Sequence, residues 1–198
     1  MLEFKNVSVR LSADRLSTPF SLEMDDGEVA CLSGEAGSGK SLLLMAILGL
    51  APLAAGYITI DGELVTPGSS AYFRHMIAYV PQRMPSLRMK VRQIFVELMA
   101  LKSHSGEALS LSTLQRQWEA AGLPADFSDR WANEVEPERL REAMMVAVPQ
   151  LGRPIVLVDD PSPETVRGGW LNAWAASGAE VLFASRHQDL PCHKIITL

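Results

Sequence analysis

The sequence predicts an α/β fold organised around a phosphate-binding loop. Val29–Leu32 is an apolar run rich in strand formers, which is typical of a buried strand. Residues 34–41, GEAGSGKS, match the pattern G-x-x-x-x-G-K-[ST] at every specified position. Leu42–Leu50 continues with apolar side chains on several helical faces, which indicates a buried helix. A strand, a glycine-rich loop and a helix in this order predict a site for nucleotide phosphates.

Each residue type in this loop has a chemical reason. Glycines allow backbone N–H groups to close on phosphate oxygens, and the helix N-terminus adds partial positive charge. Lys40 brings a full positive charge to the terminal phosphates, and the Ser41 hydroxyl is a ligand for Mg²⁺. The residues predicted to contact the nucleotide are Gly34, Glu35, Ala36, Gly37, Ser38, Gly39, Lys40, Ser41 and Leu42.

Length and composition set the broad class. A chain of 198 residues suits one compact domain, residues 1–198, with a sizeable core. The net charge is −5 and no block of basic residues occurs, which argues against nucleic acid as a partner. Cys31 lies in the strand before the loop, so we expect a buried thiol rather than a disulfide with Cys192, and a reducing cytoplasm.

One uncharged run resembles a membrane span in length. Ser41–Ile60 carries no charged residue over 20 positions. Gly49, Pro52 and Gly56 interrupt the run, and its first turn belongs to the phosphate loop. We therefore expect no transmembrane helix here.

Strand signals dominate the chain on either side of the loop. Leu2–Val9 and Phe20–Met24 alternate apolar and polar residues as half-buried strands do, and Asp25–Glu28 is a turn. Gly56–Leu64 predicts a hairpin closed at Asp61-Gly62. Ile77–Val80 is a further strand.

Residues 83–150 change to helical patterning. Val91–Lys102 predicts one helix. A second helix runs to Gly122, and Ser112 to Gln115 predicts a capping box at its start. Pro137–Val148 predicts a third helix, with proline suited to its first turn.

The C-terminal part returns to buried strands. Ile155–Val158 is an apolar strand that ends in Asp159-Asp160. Trp170–Ser177 predicts a helix, Glu180–Ser185 a buried strand and Lys194–Thr197 a short final strand.

Four motifs in this order resemble the ATP-binding subunit of an ABC transporter, over essentially the whole chain. They are GEAGSGKS at 34–41, AYVPQ at 78–82, IVLVDDP at 155–161 and VLFASRH at 181–187. The resemblance implies an α/β P-loop NTPase of the ABC ATPase type. Its parts are a mixed sheet core, an N-terminal antiparallel β subdomain and a helical subdomain at about residues 83–150. It also implies ATP and Mg²⁺ as cofactors.

The resemblance assigns roles to four further residues. Gln82 resembles the Q-loop glutamine, which reaches Mg²⁺ and the attacking water, and Asp159 resembles the aspartate that supports Mg²⁺. His187 resembles the H-loop histidine that contacts the γ-phosphate. Asp160 stands where the family has its catalytic glutamate, and aspartate is one methylene shorter. Because a general base needs hydrogen-bond reach, we expect slowed hydrolysis rather than its loss.

Other family motifs are altered. The LSGGQ signature falls on Val135–Arg139, where two glutamates and a proline replace the serine and two glycines. A carboxylate about 5 Å from a phosphate charge costs about 3 kcal/mol, and Pro137 has no N–H to donate. The D-loop falls on Pro163–Val166 without its aspartate. A signature-like run at 111–115 lies 44 residues before Asp159 and indicates a structural helix.

The aromatic residue that stacks on adenine in the family is also replaced, near Leu11. Arg10 and Phe4 are the two alternatives for that contact.

These losses affect the groups that reach a partner's nucleotide. We therefore expect a second ABC ATPase subunit as partner, in a heterodimer rather than a homodimer, beside a transmembrane permease subunit. The resemblance places the chain in the cytoplasm, peripheral on the inner face of the cell membrane, as an ATPase coupled to transport. Two alternatives remain: a nucleotide-sensing or scaffolding subunit with little hydrolysis, and a soluble non-transport ABC ATPase. The last predicts coiled coils, paired cassettes or basic surfaces, which the sequence lacks.

Overall fold

The computed structural model describes residues 1–100 and 110–198. Two compact units are present: Met1–Tyr79 together with Arg153–Leu198, and Val80–Gly152. The single domain of residues 1–198 and its helical part at about residues 83–150 stay predictions.

Strands and helices are numbered along the chain. The strands are β1 (Leu2–Ser8), β2 (Arg10–Ser12), β3 (Arg15–Leu16), β4 (Phe20–Met24), β5 (Val29–Ser33), β6 (Ala55–Ile60), β7 (Glu63–Leu64), β8 (Ile77–Val80), β9 (Ile155–Asp159), β10 (Glu180–Ser185) and β11 (Lys194–Thr197). The helices are α1 (Lys40–Ile47), α2 (Ser70–Phe73), α3 (Val91–Ala100), α4 (Leu111–Ala120), α5 (Pro137–Ala147), α6 (Pro163–Arg167) and α7 (Trp170–Ala176). Short 3-10 turns lie at 74–76, 127–129, 132–134 and 148–151.

The first unit contains an antiparallel sheet of order β4-β1-β6-β7. Its predicted hairpin is confirmed: Ile60 pairs with Glu63, and Asp61 and Gly62 have φ values of 51° and 82°. Positive φ at both central residues is the type I′ geometry that matches strand twist. The antiparallel N-terminal part of the fold is therefore as the sequence predicts.

The second sheet of this unit has the order β11-β5-β10-β9-β8. β5, β9, β10 and β11 run parallel, and Ser33 pairs with Ser185 while Asp159 pairs with Ala184. The carboxyl ends of β5, β9 and β10 therefore meet at one edge of the sheet. Ligands of open α/β folds bind at this kind of edge.

The helix after the phosphate loop is only partly buried. Leu43, Leu44 and Ile47 are fully buried in the core of the first unit. The expectation of burial is wrong for Leu42, which is 40% exposed, and for Leu50, which is 64% exposed. Since α1 ends at Ile47, Leu50 lies past the helix.

The second unit packs around Trp118. Its ring contacts Phe95 and Phe127 at centroid distances of 4.8 and 5.6 Å, and its Nε1–H donates to Ala143 O at 3.0 Å. All three predicted helices are present as α3, α4 and α5. The last two positions predicted for the first of them, 101 and 102, lie outside the described residues.

The predicted capping box is wrong. α4 begins at Leu111 with Ser110 before it, and no side chain caps it. Ser112 is already inside the helix, and the Gln115 side chain donates to Ser128 Oγ at 2.9 Å instead. Gln115 therefore makes a tertiary contact with Ser128 and not the capping contact that the local pattern predicts.

Three short elements carry no signal that the sequence analysis detected. They are the β2–β3 pair, the single-turn helix α2 and the helix α6. α6 starts where Ser162 Oγ accepts a hydrogen bond from the Thr165 N–H at 3.2 Å. The segment matched to the D-loop is therefore the first turn of a capped helix.

Across residues 1–100 and 110–198, none of the helices combines the length and the hydropathy needed to cross a bilayer.

Candidate nucleotide-binding site

The predicted phosphate site lies in the first unit, at the carboxyl edge of the parallel strands. β5 leads into the loop at 34–39, and the Gly34 N–H donates to Ser185 O of β10 at 3.2 Å. The Ser38 N–H donates to Glu35 O at 3.2 Å, which closes a turn inside the loop. The first residue of α1 is Lys40. The loop is thus held by two neighbouring strands and opens a helix, as phosphate-binding loops do.

Gly39 shows why the loop requires glycine. Its φ is 102°, a region that L side chains rarely adopt. A Cβ built there would lie 2.8 Å from Leu11 Cδ2 and 2.8 Å from Val9 Cγ2. Both the backbone conformation and the close approach of Leu11 and Val9 therefore disfavour a side chain at this position.

The Lys40 side chain folds back over the loop. Its Nζ donates to Gly34 O at 2.7 Å and to Glu35 O at 2.8 Å, and Lys40 is only 8% exposed. Burial lowers the pKa of Lys40, while the nearby carboxylates of Asp160 and Asp159 oppose that shift. The ammonium thus lies within the loop it was predicted to serve, surrounded by carbonyl oxygens that a phosphate can replace.

Ser41 and Asp159 come together although they belong to different parts of the chain. Ser41 Oγ donates to Asp159 Oδ1 at 3.0 Å, and Asp159 is buried at the end of β9. Mg²⁺ in nucleotide sites takes one or two protein oxygens and otherwise water and phosphate. Within the described ranges, no group of three or more His, Cys, Asp or Glu could hold a metal. The hydroxyl–carboxylate pair fits a shared Mg²⁺ of that kind.

Asp160 adopts an uncommon backbone conformation. Its φ is 52°, in the left-handed region, and its N–H donates to Ala184 O of β10 at 2.9 Å. The side chain is 19% exposed. Aspartate is one of the few residues with a side chain that tolerates this region. The backbone turn directs the chain away from β9 immediately after Asp159.

Arg186 is a residue of this edge that the sequence analysis did not assign to the site. Its guanidinium lies 3.7 Å from Asp160 Oδ2, and its side chain is 60% exposed. The available signal was its position directly after the strand that neighbours β9. Only the strand order places it beside Asp160.

Two further residues were predicted for the site, His187 and Gln82. His187 is exposed one residue after Arg186, and its backbone N–H donates to Ser185 Oγ at 3.0 Å. Gln82 is exposed in the second unit, two residues after the end of β8. The roles of both stay predictions.

One alternative for the base contact is wrong. Phe4 is fully buried, and its ring lies 5.4 Å from that of Phe20 within the core. It is not accessible to a nucleotide base. Leu11 packs close to Gly39 of the loop, and Arg10 is exposed with its guanidinium donating to Ala13 O at 3.1 Å.

The altered signature residues start α5 in the second unit. Glu136 precedes the helix, Pro137 is its first residue and Glu138 lies in its first turn. All three are exposed, and none of the side chains caps the helix. This helix start therefore presents two carboxylates and one missing N–H.

Together, the fold and the edge cluster define a phosphate-loop α/β protein. The sequence model of the ABC transporter family matches residues 17–161. The chain belongs to the ABC transporter family.

The comparisons also find individual relatives. The ergothioneine transport ATP-binding protein EgtV of Helicobacter pylori is 25% identical over 169 residues, covering 81% of this chain and 75% of that protein. The sulfate/thiosulfate import ATP-binding protein CysA of Rhodopseudomonas palustris is 27% identical over 172 residues, covering 81% of this chain and 46% of that protein. The chain thus spans less than half the length of the second relative.

A solved structure supports the fold. A dimeric ATP-binding cassette in a post-hydrolysis state, bound to ADP and inorganic phosphate, superimposes with a TM-score of 0.78 at 22% identity. The match covers 100% of this chain and 94% of that one. The expected P-loop fold of the ABC ATPase type is confirmed.

Proposed function

We propose that this ATP-binding subunit binds MgATP on residues 34–42 and couples its hydrolysis to transport through a separate permease subunit. The observation that carries the proposal is the convergence of Lys40, Ser41 and Asp159 at one strand edge. Lys40 binds the terminal phosphates, and Ser41 and Asp159 hold Mg²⁺. The ion neutralises phosphate charge that the single lysine leaves unbalanced.

Hydrolysis at this site is slow in our proposal. Asp160 orients the attacking water in place of a glutamate, His187 contacts the terminal phosphate, and Gln82 reaches the water and Mg²⁺. A shorter carboxylate reaches the water less well, and general-base catalysis falls off with misplacement of the base. ATPase activity is thus retained at a reduced rate.

The partner ATPase is a different chain rather than a second copy. The start of α5 carries Glu136, Pro137 and Glu138, all exposed. Two carboxylates facing a triphosphate repel it, and Pro137 donates no hydrogen bond. A homodimer would place this surface over both of its sites. A partner chain with an intact signature would cover this chain's own phosphate loop, so that one of the two sites stays functional.

The permease docks on the segment 82–92 of the second unit, and this contact holds the chain at the inner face of the membrane. Within that unit, the Ala132 N–H donates to Met89 O at 2.9 Å and the Val91 N–H to Arg130 O at 3.0 Å. An open pocket of about 460 Å³ is lined by Arg88, Trp131, Asn133 and Glu134. An exposed tryptophan beside a pocket is typical of an interface anchor.

A second candidate is a nucleotide-sensing or scaffolding subunit in which binding, rather than hydrolysis, changes assembly. The altered start of α5 favours this second function, because that surface disfavours the closed dimer of two ATPase subunits that turnover needs. The two candidates differ in one measurable quantity, the turnover of ATP in the assembled complex.

The first experiment titrates the full chain with labelled ATP in the presence of Mg²⁺. We expect saturable binding that Lys40→Ala weakens by about tenfold or more, because a charge-assisted phosphate contact is removed. Lys5→Ala is the matched control, since Lys5 pairs with Glu23 on the antiparallel sheet. Absence of saturable binding by the unaltered chain would refute the proposal.

The second experiment measures steady-state ATPase activity of the complex that co-purifies from membranes on an affinity tag. Transport coupling predicts turnover that falls with Lys40→Ala and with Asp160→Asn. A sensor predicts little turnover and no effect of Asp160→Asn. Rapid turnover by the pure homodimer would exclude the asymmetric pair.

A further inference from the structure

Arg186 directly follows β10, at the edge of the sheet that carries the phosphate loop. Its guanidinium is 3.7 Å from Asp160 Oδ2, and the Asp160 N–H donates to Ala184 O two residues before it. A backbone hydrogen bond and an ion pair therefore both join Asp160 to residues 184–186. No role in the family-derived site accounts for an arginine here.

The charge of Arg186 also reaches the lysine of the loop. After burial, the groups that shift the pKa of Lys40 are Asp160, Asp159 and Glu35, which raise it, and Arg186, which lowers it. Lys40 and these four groups form one electrostatic cluster with two cations and three carboxylates. Without Arg186 the cluster would carry two net negative charges toward the incoming phosphates.

The guanidinium is available for a new partner. Its side chain is 60% exposed, and 3.7 Å exceeds the length of a hydrogen bond, so the contact with Asp160 is a loose ion pair. Arginine presents planar donors that match phosphate oxygens in pairs. A phosphate that approaches Asp160 would meet both the repelling carboxylate and this cation.

We propose that Arg186 is a further nucleotide-binding residue, which favours a triphosphate over a diphosphate by offsetting the Asp160 carboxylate. The inference rests on the proposed function, in which the loop at Lys40 holds the phosphates. The terminal phosphate is the charge that distinguishes the two nucleotides, and in the proposed function it faces Asp160, which orients the attacking water. Arg186 therefore acts on ATP more than on ADP.

The test compares Kd values for MgATP and MgADP in the full chain and in three variants. Arg186→Gln should weaken MgATP binding by about fivefold and MgADP binding by less than about twofold, and the ATP effect should shrink at high salt. Arg186→Lys, which keeps the charge, should recover most of the affinity. Arg167→Gln is the matched control, since Arg167 is an exposed arginine of the same unit paired with Asp189.

The Asp160→Asn/Arg186→Gln double variant completes the test. If the two charges offset each other, removing both should return the ATP to ADP preference to near that of the unaltered chain. Equal weakening of both nucleotides by Arg186→Gln, or no weakening, overturns the inference while the proposed function stands. Failure of the unaltered chain to bind MgATP overturns the proposed function itself. Thermal unfolding of each variant reports whether it is folded.

Discussion

The Ser41 hydroxyl donates a 3.0 Å hydrogen bond to Asp159 Oδ1, although the two residues are 118 positions apart in the chain. Ser41 follows β5 through the phosphate loop, and Asp159 ends β9, with β10 lying between these two strands. The sheet order therefore places both oxygens at one edge. The pair is directly testable through its dependence on Mg²⁺.

Removing this pair should change the Mg²⁺ requirement of ATP binding. We expect Asp159→Asn and Ser41→Ala each to raise the Mg²⁺ concentration for half-maximal ATP binding by about tenfold, because each removes an oxygen that supports the ion. A titration of Mg²⁺ at fixed labelled ATP measures this. Ser177→Ala, whose hydroxyl donates to Trp174 O of α7, is the control. An unchanged Mg²⁺ requirement in both variants would contradict the assignment.

A side chain at Gly39 should lower the free energy of unfolding. Gly39→Ala should destabilise the fold by about 2 kcal/mol, because φ is 102° and the new Cβ would meet Leu11 and Val9 at 2.8 Å. Gly37→Ala is the control for the backbone alone, since Gly37 has φ 80° with open space around it. Urea unfolding should rank Gly39→Ala as the more destabilised variant. Equal stabilities would show that the contact with the N-terminal strands can relax freely.

Two substitutions at Asp160 should distinguish the contribution of its backbone conformation to stability from that of its charge. Asparagine also adopts left-handed φ. The free energy of unfolding of Asp160→Asn, measured in urea, should therefore lie within about 0.5 kcal/mol of that of the unaltered chain. Asp160→Val should cost about 1–2 kcal/mol, because a β-branched residue is strained at φ 52°. If valine were tolerated as well as asparagine, the left-handed turn would not persist in solution.

The thiol of Cys31 should be inert in the folded chain. Burial raises its pKa to about 12, and the structure has it as a free cysteine, as the sequence predicts. At pH 8 only about one thiol in 10⁴ would be ionised, so a thiolate-specific reagent should modify Cys192, which is partly exposed, first. Mass spectrometry after timed alkylation distinguishes the two sites. Rapid labelling of Cys31 under native conditions would refute its burial.

The same pKa has a consequence for stability. Between about pH 9 and 12 the unfolded chain loses the Cys31 proton while the folded chain keeps it. The folded state then binds more protons, so the contribution of this thiol to the free energy of unfolding falls as pH rises through that window. Cys31→Ser should flatten the decline. An identical pH profile in both proteins would contradict the shift.

Restoring the signature should promote self-association. A variant carrying Glu136→Ser, Pro137→Gly and Glu138→Gly removes two carboxylates and returns one N–H at the start of α5. We expect dimerisation with MgATP in the background of Asp160→Asn, measured by sedimentation, where the unaltered start of α5 gives monomers. Equal dimerisation of both forms would remove the physical basis for a heterodimer. Glu142→Ser, which alters a later charge of the same helix, is the control.

Much of the fold is legible in local pattern. The strands Phe20–Met24, Ile77–Val80, Glu180–Ser185 and Lys194–Thr197 have the predicted bounds, because alternating or continuous apolar runs between turn residues leave few other ways to bury side chains. The glycine-rich loop was recognisable because phosphate contact and positive φ both demand particular residues at fixed spacing. Helix starts are harder to predict, because capping side chains can make tertiary contacts instead, as Gln115 does with Ser128.

The sequence by itself determined the class of fold, the phosphate loop, and the chemistry that Lys40, Ser41 and Asp159 can supply. Tertiary structure alone decided which neighbours these groups have. Strand order brings Arg186 beside Asp160 and buries Phe4 against Phe20, away from any nucleotide. The physical reason is that residue type and periodicity act over a few positions, whereas charges and rings meet through strand pairing between distant segments.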